Sequence, residues 1–207
     1  MLRETGKGIL SGLMVSIGGA VYLACENRYV GAVLFSVALI TICLMQFSLY
    51  TGKIGFLVEN HKKSDVIATF SGLLGNFIGC VIFGLLLKVA LHKLSEASVI
   101  ICNSKLDQTS ISALIRAFFC GVLMFVAVWS YKEKKTLAGI FVCIPVFILS
   151  GFEHSIADMF YLSIAGFFNF KALLYVLIIV LGNSLGGMFI PAMQKLINFK
   201  KGKNSNE

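Results

Sequence analysis

The chain has 207 residues, of which 57% are apolar and only 14% charged, with a formal net charge of +8 at pH 7. A soluble domain carries about a quarter of its residues as charged side chains, so this composition excludes a soluble globular protein and points to one held in a bilayer. The positive excess does not indicate nucleic acid, because the lysines fall in short clusters at the ends of apolar runs, as they do in the loops of membrane proteins.

A spanning helix needs about 20 mainly apolar residues, and six candidate runs follow one another at 8–25, 29–48, 64–90, 111–129, 136–150 and 172–197. The first run follows basic residues and ends in Leu23-Ala24-Cys25, which has the outline of a signal sequence. Acidic Glu4 departs from that pattern, and Gly8, Gly12, Gly18 and Gly19 give the run small faces for close helix packing. It is read as a first spanning helix. The second run gives way to Leu49-Tyr50-Thr51-Gly52 and a short apolar stretch at 54–58. The third carries Gly75-Asn76-Phe77-Ile78-Gly79-Cys80, and the sixth carries the similar Gly182-Asn183-Ser184-Leu185-Gly186-Gly187. The fifth breaks at Gly151-Phe152-Glu153-His154 before another short apolar stretch at 156–166.

The chain therefore divides into halves at about 8–90 and 111–197, each with an interrupted middle run. Three spans per half send the second half in from the opposite side, an inverted repeat. Interrupted segments at matching positions of two such halves point to a transport site near the bilayer midplane. With only two prolines and no Ser/Gly-rich linker, residues 1–199 are expected to form one channel domain. The polar, basic segment 200–207 is expected to be a disordered tail. Arg3, Lys7, Lys62, Lys63, Lys132, Lys134 and Lys135 outnumber Arg28, Lys88, Lys93, Lys105 and Lys171 on the alternate segments. That bias places both termini in the cytoplasm of a multi-pass protein of the cell's inner (plasma) membrane.

Six cysteines are scattered without a C-x-x-C pair and read as packing residues, so neither a metal nor any other cofactor is expected. His154 and Asp158 share a helix face at i,i+4 spacing, but two ligand types at one spot do not make a metal site. The informative residues lie at the breaks. An ionisable group at membrane depth faces a pore or cavity, and His154 can offer a proton or a hydrogen bond to a passing anion. Glu153 is expected to accept hydrogen bonds from backbone amides freed by the break. Thr51 is either a helix-cap hydroxyl or a pore-facing partner of His154. Lys105 is either a solvated loop residue or a fixed charge that concentrates anions. Leu49 and Phe147 are either packing residues or an apolar constriction.

The segment 150–160 resembles the G-F-E-H-S-x-A-N-M signature of the formate/nitrite transporter family. Leu49-Tyr50-Thr51-Gly52 is similar to that family's L-F-T-G break. Arg116, Cys120 and Val126-Ala127-Val128-Trp129 resemble its R-G-x-x-C-N…L-A-V-W helix, and Asn183 to Gly187 its final G-N-x-x-G-G. The resemblance implies an all-α integral membrane protein with six transmembrane helices in an aquaporin-like inverted repeat (3+3), the second and fifth broken, assembled as a homopentamer with a pore in each protomer. It implies a pathway of His154, Thr51 and Lys105, with Leu49 and Phe147 as the inner constriction. Asn76 and Asn183 are then structural polar residues at the breaks.

The implied function is proton-coupled or channel-like passage of a small monovalent weak-acid anion, formate first, then nitrite or hydrosulfide, with lipid as the surrounding partner. A neutral-solute channel on an aquaporin-like scaffold is the alternative, although Asn-Pro-Ala repeats are missing. An enzyme is not expected, since no nucleophile-plus-base set is present. Two departures touch the site: Asp158 stands where the signature has asparagine, and Gly121 where the fourth helix has asparagine. The chain is also short around 88–110.

Overall fold

Three of the longer helices, at residues 28, 110 and 170, start behind short polar side chains that take up free amide protons. Asn27 accepts from the amides of Tyr29 and Val30, Thr109 from Ser112, and Asn169 from Ala172. In the computed structural model, residues 1–204 are described, with side chains to residue 198. Every regular element among them is helical. In order these are α1 (Leu2–Ala24), α2 (Arg28–Leu44), α3 (Tyr50–Lys53), a 3-10 helix (Ile54–Val58), α4 (Lys63–Ala90), α5 (His92–Leu106), α6 (Ser110–Lys134), α7 (Ala138–Leu149), α8 (Ser155–Ala165) and α9 (Phe170–Asn204). Part of the expected tail, 205–207, lies outside the described residues.

Among the described residues four helices, α1, α4, α6 and α9, are long and apolar enough to cross a bilayer, whereas α2, α7 and α8 are shorter. The runs at 29–48 and 136–150 are the ones that stop short. After α2 the chain turns at Gln46, which takes a left-handed φ of 54°, and re-enters helix at Tyr50. The first break therefore occupies 45–49, and Tyr50, Thr51 and Gly52 already lie in α3. After α7 the turn is made by Gly151 at φ 70°, where a side chain would be strained. Gly166, at φ 85°, ends α8. The two short apolar stretches noted in the sequence are the 3-10 helix and α8.

Close helix pairing depends on missing side chains. A Cβ on Gly12 of α1 would lie 2.7 Å from the Asn76 carbonyl oxygen of α4. On α6, a Cβ at Gly121 would lie 2.9 Å from the Cα of Asn183 and nearer still to its carbonyl oxygen. Here Gly121, which stands where the fourth helix of the resembled family has asparagine, lets α6 and α9 touch backbone to backbone. All residues of α8 are buried; its Phe160 ring packs on Gly19 of α1, and Gly84 of α4 makes room for Ser163. The outer faces are apolar instead, with Val33, Val37, Leu74, Phe119, Val142 and Leu177 exposed.

The polar segment that precedes the fourth apolar run forms helix α5. Its Ser95 and Ser98 hydroxyls donate to the Ile164 and Tyr161 carbonyls of α8, both at 2.8 Å. These long-range bonds hold a weakly patterned segment in helical register.

Substituting Gly121 with asparagine should force α6 from α9 and lower stability by about 1–3 kcal/mol. Thermal unfolding of the detergent-purified protein measures this, and an unchanged midpoint would mean the contact relaxes freely.

Candidate functional site

A helix broken inside a bilayer exposes amides and carbonyls that water cannot reach. Two asparagines resolve this in the same way. The Asn76 side-chain oxygen accepts from the Tyr50 amide at 2.9 Å, and its NH2 group donates to the carbonyls of Gly8 and Ser48 at 2.9 and 2.8 Å. The Asn183 oxygen accepts from the Ser155 amide at 2.8 Å, and its NH2 group donates to the carbonyls of Ala117 and Glu153, both at 2.8 Å. Both side chains are fully buried. By these bonds Ser48-Leu49-Tyr50 corresponds to Glu153-His154-Ser155, with Leu49 at the position that His154 holds.

His154 is the N-cap of α8. Its Nδ1 accepts the Ala157 amide proton at 3.1 Å, and an amide can only donate. Nδ1 therefore carries no hydrogen, the ring is neutral, and Nε2 bears its proton. That Nε2–H donates to the Thr51 hydroxyl oxygen, 2.9 Å away. The Thr51 hydroxyl proton is left free to point elsewhere. Both residues are buried, and the Phe147 ring stacks on the imidazole with centroids 5.6 Å apart.

Two cavities approach this pair. One, of about 640 Å³, is lined by Leu39, Leu49, Lys7, Lys53, Lys132 and Lys135. Glu4 faces Lys53 at 2.9 Å, leaving that mouth predominantly cationic. The other, of about 400 Å³, is lined by Phe35, Phe147, His154, Lys105, Glu153 and Asp158. Leu49 and Phe147, expected together in one constriction, thus border different cavities. The aromatic partner of Phe147 is Phe35, edge-on with centroids 6.3 Å apart. Phe35 lies in an unremarkable apolar run, and nothing in its sequence neighbourhood marks it.

Glu153 is buried, but its carboxylate does not take the freed backbone amides. Asn183 and His154 have already claimed those. Instead Gln108 donates to one carboxylate oxygen at 2.6 Å, and the Lys105 ammonium donates to the other. Lys105 sits in the last turn of α5, outside the spans, and is mostly buried rather than solvated. Its Nζ also lies 2.9 Å from the Asp158 Oδ1. Burial alone would lower its pKa, but the carboxylates of Asp158 and Glu153 override that and hold it above the usual lysine value. This fixed cation is enclosed by two carboxylates.

A sequence model described as formate/nitrite transporter matches residues 2–197. Among curated proteins, the formate-nitrite transporter of Plasmodium falciparum is 23% identical over 255 aligned positions, covering 99% of this chain and 82% of the relative. The nitrite transporter NirC of Escherichia coli K12 is 27% identical, covering 88% and 74%. The formate channel FocA of the same strain is 26% identical, covering 77% and 65%. The fold is similar to that of a pentameric formate channel with formate bound (TM-score 0.76, 21% identity, 96% of this chain and 97% of the other). It is also similar to an FNT family ion channel, with a TM-score of 0.79, 20% identity and coverage of 95% and 88%.

Replacing Asn183 with alanine would strand the Ser155 amide and the Glu153 carbonyl at the break, while the Ala117 carbonyl keeps its place inside α6. At about 1–3 kcal/mol for each stranded group, the variant should unfold well below the parent in detergent. Equal unfolding temperatures would show that the bonds are dispensable.

Proposed function

This chain belongs to the formate/nitrite transporter family, and from that membership we propose that it carries small monovalent weak-acid anions across a membrane, formate first, then nitrite or hydrosulfide. The observation that carries the reading is the His154–Thr51 pair, buried between two cavities and bounded by apolar side chains on each side. A bare anion cannot shed its water beside leucine and phenylalanine without a compensating donor. His154 and Thr51 supply one. Because the ring is neutral with Nδ1 committed to Ala157, the histidine acts by hydrogen bonding rather than as the source of a proton. Forming imidazolium would require Nδ1 to release the α8 cap.

The same reading assigns Phe35 with Phe147 to one constriction and Leu39 with Leu49 to the other. The lysines around Leu49 raise the local anion concentration at their mouth. The six-span 3+3 arrangement with broken second and fifth helices is supported by the matched hydrogen bonds of Asn76 and Asn183. Assembly as a homopentamer is supported by the fold's likeness to a channel described as pentameric and by the exposed apolar outer faces. Both termini are placed in the cytoplasm, the protein spanning the cell's inner membrane, on the lysine bias of the alternate segments.

In proteoliposomes, His154→Phe should lower formate and nitrite uptake by roughly tenfold or more, the scale of losing one hydrogen bond to a charged group. The variant's oligomer is checked by size before assay. Wild-type rates in the variant, or swelling with water or glycerol in place of weak-acid salts, would replace this reading with a neutral-solute channel.

A further inference from the structure

Asp158 is left without a role by the pathway above. It is buried, it lines the same cavity as Phe147 and His154, and neither of its carboxyl oxygens has a hydrogen-bond partner. Lys105 lies within ion-pair distance of Oδ1, but not at a hydrogen-bonding angle. We propose that Asp158 is the proton donor of the pathway, holding the proton that a weak-acid anion picks up before it crosses the Phe35–Phe147 constriction. This rests on the anion-transport reading and extends it.

The charge balance of the cluster leads there. Two carboxylates share one ammonium, so with both ionised the buried group would carry an uncompensated negative charge. Like charges this close do not both ionise in a low-dielectric site. Both oxygens of Glu153 are occupied, one by Gln108 and one by Lys105, which leaves Asp158 to carry the proton. The other groups around it do not substitute. Cys102 faces it from α5, Cys120 from α6, Tyr175 from α9 and Tyr161 from α8; α1 contributes Tyr22 to the same cavity. On α4, Cys80 bonds the Ile156 carbonyl and Lys88 the Ala165 carbonyl, away from the cluster. Thiols and phenols are weaker acids than a carboxyl group. Arg28 and Arg116 stand at the rim, bonded to the carbonyls of Leu149 and Gly151. His154 has only its Nε2–H, which a neutral ring does not release.

The step balances simply. The anion enters, the Asp158 O–H bond breaks, and a bond from that hydrogen forms on the anion. A neutral acid then passes the two phenyl rings. Asp158 is left as a carboxylate beside the Lys105 ammonium and regains a proton from water at the cavity mouth. An asparagine at this position can store no proton.

The test is Asp158→Asn, close in shape and reconstituted beside the parent. The maximal formate uptake rate at neutral pH should fall by roughly tenfold or more, with the half-saturating concentration changed less than about twofold and the pH dependence flattened. Independently, infrared difference spectra of the parent should show a protonated-carboxyl C=O band that weakens on adding formate and is missing from the variant. A variant with the parent's maximal rate and pH profile, or a parent without that band, overturns the proposal. Absence of weak-acid uptake by the parent itself would instead overturn the transport reading, while the infrared arm still decides whether Asp158 holds a proton.

Discussion

Two buried asparagines make the breaks in this membrane protein tolerable. Where α2 and α7 stop, backbone amides and carbonyls are exposed among apolar side chains, and each unsatisfied group there costs several kcal/mol. Asn76 and Asn183 each make one acceptor and two donor bonds, joining a broken segment to two long helices. With the backbone satisfied, the chain can place a polar pair, His154 and Thr51, where an unbroken helix would present only side chains to lipid. The glycine contacts serve the same end, because the long helices must approach closely for an asparagine on one to reach a carbonyl on the next.

The cluster on α5, the second break and α8 adds a different constraint. Lys105, Glu153 and Asp158 come from three separate segments, and none is tolerable alone once buried. Removing one member of a buried ion pair leaves an uncompensated charge, which is far more damaging than losing a surface pair. α5 is therefore held to α8 by hydroxyl-to-carbonyl bonds that keep the lysine in place. The two mouths differ as a result. One presents four lysines, Lys132 and Lys135 exposed and Lys7 and Lys53 half-buried, while the other encloses its lysine between the carboxyl groups of Glu153 and Asp158.

Much of the candidate site is readable from single segments. The break before α8 is announced by Ser150-Gly151 and by Glu153-His154 in an otherwise apolar run, and both asparagines stand out within glycine-rich helices. Other parts are not announced. Phe35 looks like any apolar residue of α2 and gains meaning only from its edge contact with Phe147. Glu153 and the backbone amides at its break compete for partners, and which partner wins depends on where Asn183 and Lys105 arrive. Helix α5 carries little periodic pattern of its own, because its register is fixed by carbonyls on another helix.

Composition and run lengths determined by themselves that this is a multi-pass membrane protein built from apolar helices. Those properties follow from solvent transfer and local backbone geometry, which act on neighbouring residues. Tertiary structure alone decided that Thr51 meets His154 across a separation of 103 residues, that Leu49 and Phe147 face different cavities, and that two carboxyl groups enclose Lys105. Such pairings depend on how closely the helices approach and how each is rotated about its axis. Periodicity along one helix leaves that angle free until its neighbours are in place.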